Sequence, residues 1–218
     1  MIKAFVFDFD GLLIDTEMPQ FECWKEAFQE YGFTYTFHDW WKTIGTGPQA
    51  YDPVDDLYER TNGKIDRDQI NLRVDTKIAE ELRTQPLLPG VEAFIHHAAQ
   101  QDIKLALASS STYDWVMPFV VKFGLDHYFE AVFTAQDVKE VKPNPALYNL
   151  AVKKLELAPN NVMAFEDSLN GLKSAKAAGI YCTVVPNQIT REMDLSMADI
   201  IVPSFEQLSV EELCRFGE

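Results

Sequence analysis

Short apolar runs punctuate the chain at 4–9, 103–109, 131–134, 162–167, 182–185 and 199–202. Each is apolar without alternation, as expected for parallel strands covered on both faces. Helical patterns separate the later runs, at 112–123, 145–156 and 169–178, with breaks at Gly124 and Gly179. Before them, "PLLPG" at 86–90 is a connector whose Pro89-Gly90 suits a helix start. No strand pattern occurs between residues 16 and 85. There, Phe21, Trp24, Phe28 and Tyr31 recur at helical spacing ahead of Gly32, a candidate C-cap. Segments 51–60 and 66–84 also read as helices, the second with a stripe of Ile70, Val74, Ile78 and Leu82. The simplest assembly is an α/β fold: a doubly wound parallel-sheet (Rossmann-like) core built from 1–15 and 87–218. An all-helical domain, 16–86, is inserted after the first strand, and the crossings near Asp15–Pro19 and Gln85–Pro89 would act as its hinge.

Composition narrows the choice little further. At 47% apolar, the 218 residues suffice for a sizeable core. A balance of 19 basic and 34 acidic residues, net −15, argues against a nucleic-acid or anionic-membrane surface. The three cysteines, Cys23, Cys182 and Cys214, are widely spaced and odd in number, which suits thiols in a reducing compartment. Asp8 and Asp10 interrupt the opening apolar run, so a signal peptide is not expected there. No window is apolar enough to cross a bilayer. The expectation is a cytoplasmic, soluble monomer.

The chemistry sits at the strand ends, where open α/β sheets bind ligands. The first strand ends in Asp8-Phe9-Asp10-Gly11 and the second in Ser109-Ser110-Ser111. "EVKPNP", with Lys142, follows the third, and the fourth ends in Glu166-Asp167-Ser168. Each piece has a plain structural use: a turn, a helix cap or a solvated charge. Their convergence on one sheet edge is harder to explain that way.

These residues, in "DFDGLLIDTE", "LASSS", "VKPNPALY" and "FEDSLNGLKSAKAAG", resemble the haloacid dehalogenase superfamily of phosphohydrolases. The subgroup is that of β-phosphoglucomutase and phosphoglycolate phosphatase, and the helical insertion is similar to the family's cap. The resemblance implies that Asp8 is the nucleophile that becomes an aspartyl phosphate. It makes Asp10 the general acid–base, and the spacing fits a pair reaching phosphorus and the oxygen in line with it. Lys142, preceding a proline as the family's lysine does, would hold Asp8 and the phosphate; Lys139 is its competitor. Ser109, with Ser110 and Ser111 behind it, would bind the transferring group, and Asn170 could orient Asp167 or the loop.

Crowding Asp8, Asp167, Glu166 and a phosphate into one pocket demands cations. At ~4 Å and an effective dielectric of ~20, each like-charge pair costs about 4 kcal/mol. Mg²⁺ answers this, and by resemblance its ligands are Asp8, the Asp10 carbonyl and Asp167, with Glu166 a further candidate.

Within the family, Asp10 argues against a dehalogenase, a branch that lacks the second aspartate. The mutases carry a histidine where this chain has Gln20, and an arginine in the early cap that "IGTGPQAY" lacks. The expected activity is therefore an Mg²⁺-dependent phosphatase of a small phosphorylated metabolite. A β-phosphoglucomutase-type phosphomutase is the alternative, and a receiver-like phospho-switch the non-enzymatic one. Gln20 and Thr46 are candidate substrate contacts, with Glu17 and Lys42 nearby, whereas Phe37, Trp40 and Trp41 read chiefly as packing.

Overall fold

The computed structural model describes residues 1–45 and 51–217. Its strands are β1 (Ala4–Phe7), β2 (Lys104–Ala108), β3 (Ala131–Phe133), β4 (Val162–Glu166), β5 (Tyr181–Val184) and β6 (Ile200–Ile201). They form one sheet in the order β3-β2-β1-β4-β5-β6, with every pairing parallel. The chain winds outward from β1 to β2 and β3, then returns to β4 on β1's other side. The order therefore reverses at β1, and the crevice beyond its carboxyl end is the fold's natural binding position.

Alternation along β1 builds two different faces. Phe5 and Phe7 join Phe94, Phe165 and Phe205 on one side, with Phe7 stacked on Phe165 at 4.9 Å. Burying each such ring is worth about 1.5–3 kcal/mol. On the other side lie Ala4, Ala106, Ala108 and Ala164, whose small side chains leave room for Leu147 and Tyr148. The helices flanking the sheet are α5 (Val91–Gln100), α6 (Tyr113–Lys122), α7 (Ala146–Leu155), α8 (Leu169–Ala177) and α9 (Val210–Cys214).

Between β1 and α5 the described chain is helical: α1 (Glu17–Glu30), a single turn α2 (Phe37–Trp40), α3 (Pro53–Arg60) and α4 (Arg67–Leu82). These helices enclose their own apolar cluster, in which the Ile70, Val74, Ile78 and Leu82 stripe meets Phe21, Trp24 and Phe28. Tyr31 departs from expectation. It is the C-cap of α1 and stands 43% exposed, because the helix ends one residue before it. The two crossings touch, with Ile14 bridging Leu87 in antiparallel fashion and Leu88 N–H donating to the Leu13 carbonyl at 2.8 Å. Trp41 ties the helices to the segment that follows β5 by donating from Nε1 to the Ile189 carbonyl at 2.9 Å. No described helix is long and apolar enough to cross a membrane. Cys23 and Cys182 are buried free thiols, and Cys214 is a partly buried one.

Candidate active site

Strand register brings the motif residues together. Phe7 lies level with Leu107 on β2 and with Phe165 on β4. The next residues, Asp8, Ser109, Glu166 and Asp167, therefore leave the sheet at one edge. All four are buried. The chain turns sharply after Asp10 at Gly11, whose φ is +71°. A Cβ there would lie 2.6 Å from Asp167 Oδ2 and 2.7 Å from Asn187 Nδ2, so only glycine lets the backbone pass this close.

Lys142 is the hub. The residue is 2% exposed, and its Nζ donates to Asp8 Oδ1 at 2.5 Å and to Glu166 Oε1 at 2.6 Å. Lys139, its competitor, is exposed. Tyr148, on α7, donates its hydroxyl to the same Glu166 oxygen. Gly171 of α8 packs onto that carboxylate so closely that a Cβ would sit 1.8 Å from Oε2. Ser168, not Asp167, caps α8 by accepting from the Gly171 N–H at 3.3 Å, which leaves Asp167 free for the site. Asp167 is oriented by Asn187, which donates from Nδ2 at 2.8 Å. Asn170, for which Asp167 or the loop is the expected partner, donates across to the Ile44 carbonyl at 2.9 Å.

Asp10 is held from several sides. Oδ1 accepts from Thr16 Oγ1 at 2.9 Å and Trp115 Nε1 at 2.7 Å; Oδ2 accepts from Ser111 Oγ at 2.6 Å and Ser109 Oγ at 3.4 Å. Ser109 also accepts the Ser111 N–H at 3.0 Å, folding the serine loop over Asp10. Ser110 points the other way, its hydroxyl 3.5 Å from the Gly45 carbonyl.

Above these groups lies a cleft of about 320 Å³. Asp8, Asp10 and Asp167 reach it from below; Glu17, Gln20, Trp40, Ser110 and Trp115 contribute to its walls. Gln20 lines it while its Nε2 donates to the Thr16 carbonyl at 3.0 Å. Trp40 is buried as packing would have it, yet its Nε1 also donates to Glu17 Oε2 at 2.6 Å. Lys42 lies 3.6 Å from Asp39 and over the Tyr51 ring. Thr46 lies outside the described residues. Sequence reasoning did not anticipate Trp115, Tyr148 or Asn187.

The electrostatics show what the pocket lacks. Asp8, Glu166 and Asp167 each place an oxygen within 4.8 Å of the others, against a single lysine. Burial, reinforced by Glu166, pushes Asp8 up to about 7 despite the opposing Lys142. Burial and the Asp8 charge push Asp167 well above the usual carboxylate range. Burial alone would lower the Lys142 ammonium, but Asp8 and Glu166 outweigh it and raise it. Glu166 Oε2 is buried and has no hydrogen-bond partner. Excess negative charge, hard oxygen donors and an orphaned buried carboxylate oxygen together fit a small divalent cation.

A parallel sheet whose first strand delivers paired aspartates to a lysine, a serine loop and an acidic cluster defines a class of sheet-edge hydrolases. The chain matches the family model of the haloacid dehalogenase-like hydrolases over residues 5–185, and it belongs to that family. It is 42% identical over 190 residues to YhcW of Bacillus subtilis, provisionally named a phosphatase, covering 87% of this chain and 86% of that one. It is 31% identical over 182 residues to a phosphorylated carbohydrates phosphatase of Thermotoga maritima, covering 82% of each. The crystal structure of CbbY from Rhodobacter sphaeroides with phosphate superposes with a TM-score of 0.77 at 28% identity, covering 96% of this chain and 97% of that one.

Proposed function

We propose that the protein is an Mg²⁺-dependent phosphatase of small phosphorylated metabolites, working through an aspartyl phosphate on Asp8. The observation that carries this reading is the Lys142 hub. It joins Asp8 and Glu166 beneath a cleft that a phosphate ester can enter. Asp8 attacks phosphorus; Lys142 holds its carboxylate and neutralises charge on the transferring group. Asp10 gives a proton to the leaving oxygen and later takes one from water, which requires one of its oxygens to exchange a neighbouring donor for substrate. Ser109 and Ser111 set the loop beside it.

Asp8, Asp167 and the Asp10 carbonyl would hold the cation, with Glu166, which belongs to the same acidic cluster, a further candidate. When bound, it neutralises carboxylates and phosphate and polarises the phosphoryl oxygens. Helices α1–α4, with their apolar cluster, which also takes in Ile189, and their paired crossings, serve in this reading as a cap over the cleft. Gln20 in place of the mutases' histidine favours hydrolysis over phosphoryl return to a sugar.

The test is phosphate release from a panel that includes β-glucose 1-phosphate, with Mg²⁺ and with chelator. Metal-dependent release is expected. Conversion of β-glucose 1-phosphate to glucose 6-phosphate without net release would replace the phosphatase with the mutase. In the same assay Asp167→Ala should raise the Mg²⁺ concentration giving half-maximal rate by about 10-fold or more. An unchanged metal requirement would contradict the ligand assignment.

A further inference from the structure

Beyond β5 the chain makes a tight turn closed by the side chain of Asn187. Its Oδ1 accepts the Ile189 N–H at 2.9 Å and the Thr190 N–H at 3.1 Å, while the Asn187 N–H donates to Thr190 Oγ1 at 3.0 Å. These bonds make residues 187–190 one unit, in which Ile189 and Thr190 are fully buried. The amide nitrogen of the same side chain faces the acids. It donates to Asp167 Oδ2 at 2.8 Å and to the Gly11 carbonyl at 3.3 Å. The two oxygens of a carboxylate turn together, so a donor fixed on Oδ2 also sets the direction of Oδ1.

The other end of the turn belongs to helices α1–α4. The Ile189 side chain is buried in their apolar cluster beside Phe21, Trp24 and Phe28, and its carbonyl takes the Trp41 indole. Only two positions separate the residue that holds Asp167 from the residue that holds the helical insertion. The same stretch of the insertion also reaches the loop after β4. Asn170 donates to the Ile44 carbonyl, and a Cβ on Gly45 would lie 3.2 Å from Ser168 Oγ. Asp167 is thus bracketed, before and after β5, by contacts with residues 41–45.

We propose that Asn187 is a positioning residue for the cation, and that the turn it closes links docking of the helical insertion to the orientation of Asp167. Undocking breaks the Trp41 bond and uncovers Ile189; the turn then loosens, and Asp167 loses the donor that aims it. Metal affinity is highest with the insertion docked, and by linkage a bound Mg²⁺ tightens the Trp41 contact. This rests on the assignment of Asp167 as a ligand and adds a residue outside the ligand set.

Mg²⁺ titrated into the metal-free protein, with Kd read from backbone amide shifts, tests this without any turnover. Asn187→Ala should raise Kd by about 10-fold or more, as loss of a group that orients a ligand does. Trp41→Phe keeps a ring and removes the indole donor, leaving every bond to Asp167 in place. It should still raise Kd by roughly 3-fold. The double variant should stay within about 2-fold of Asn187→Ala alone, because both changes act through one turn. In the unmodified protein, saturating Mg²⁺ should slow solvent exchange of the Trp41 indole proton by roughly 3-fold, and in Asn187→Ala it should not. A turn that is merely structural would affect stability and leave Kd where it was. A Kd unmoved by Trp41→Phe, or indole exchange indifferent to Mg²⁺ in the unmodified protein, would overturn the link even if Asn187→Ala fails to fold. Effects that multiply in the double variant would do the same, and a Kd unmoved by Asn187→Ala would overturn the positioning role. If the unmodified protein binds no Mg²⁺, or Asp167→Ala binds it as tightly, the ligand assignment falls and this inference with it.

Discussion

Asp8→Asn is expected to lower phosphate release by roughly 10⁴-fold or more, because it removes the attacking oxygen while keeping the side chain's shape. The melting temperature in chelator should move by no more than about 4 °C, the shift that about 1 kcal/mol produces in a chain this size. The charge count explains why an apparently broken buried ion pair costs so little. Lys142 contacts both Asp8 and Glu166, with Asp167 close by. Removing one acid leaves the lysine paired and relieves the repulsion that raises Asp8 in the first place. Turnover near the unmodified rate, or a protein that no longer folds, would contradict this account.

Removing the lysine should do the opposite. Lys142→Met keeps an unbranched apolar stem but leaves Asp8 and Glu166 facing each other uncompensated, with Glu166 fully buried. Breaking a buried pair this way costs about 3–5 kcal/mol. At this chain length that corresponds to a melting temperature lower by roughly 6–20 °C in chelator. Adding Glu166→Gln should restore part of the loss, since it removes one of the stranded charges. A Lys142→Met protein as stable as the parent would mean that the hub contributes little to holding the acids in place. Activity should fall along with stability, because the same ammonium faces Asp8.

The strands were legible because parallel, doubly covered strands write themselves as unbroken apolar runs. The acids at their ends stood out because burial makes such residues costly without a purpose. Asp8, Asp10, Glu166 and Asp167 could be found for that reason, and strand register then did the rest. What escaped detection came from contacts between distant positions. Trp115 reaches Asp10 from α6, Asn187 reaches Asp167 from beyond β5, and Tyr148 reaches Glu166 from α7. Tryptophan and tyrosine default to core in a pattern reading, and their polar atoms carry no periodic signal. Asn187 carries no motif or periodic signal, while Asn170, three residues from Asp167 in sequence, is turned by α8 toward Ile44. The turn α2 is too short to show a helical period, which hid the Trp40 clamp on Glu17.

The central claim is that phosphate passes through Asp8. Substrate labelled in its phosphoryl group, mixed with enzyme and Mg²⁺ and quenched in acid during turnover, should leave label on the peptide containing Asp8. The label should be base-labile as an acyl phosphate is, and absent when chelator replaces the metal or when Asp8→Asn replaces the parent. Sustained phosphate release with no label on the protein, or with label on any other residue, would contradict it.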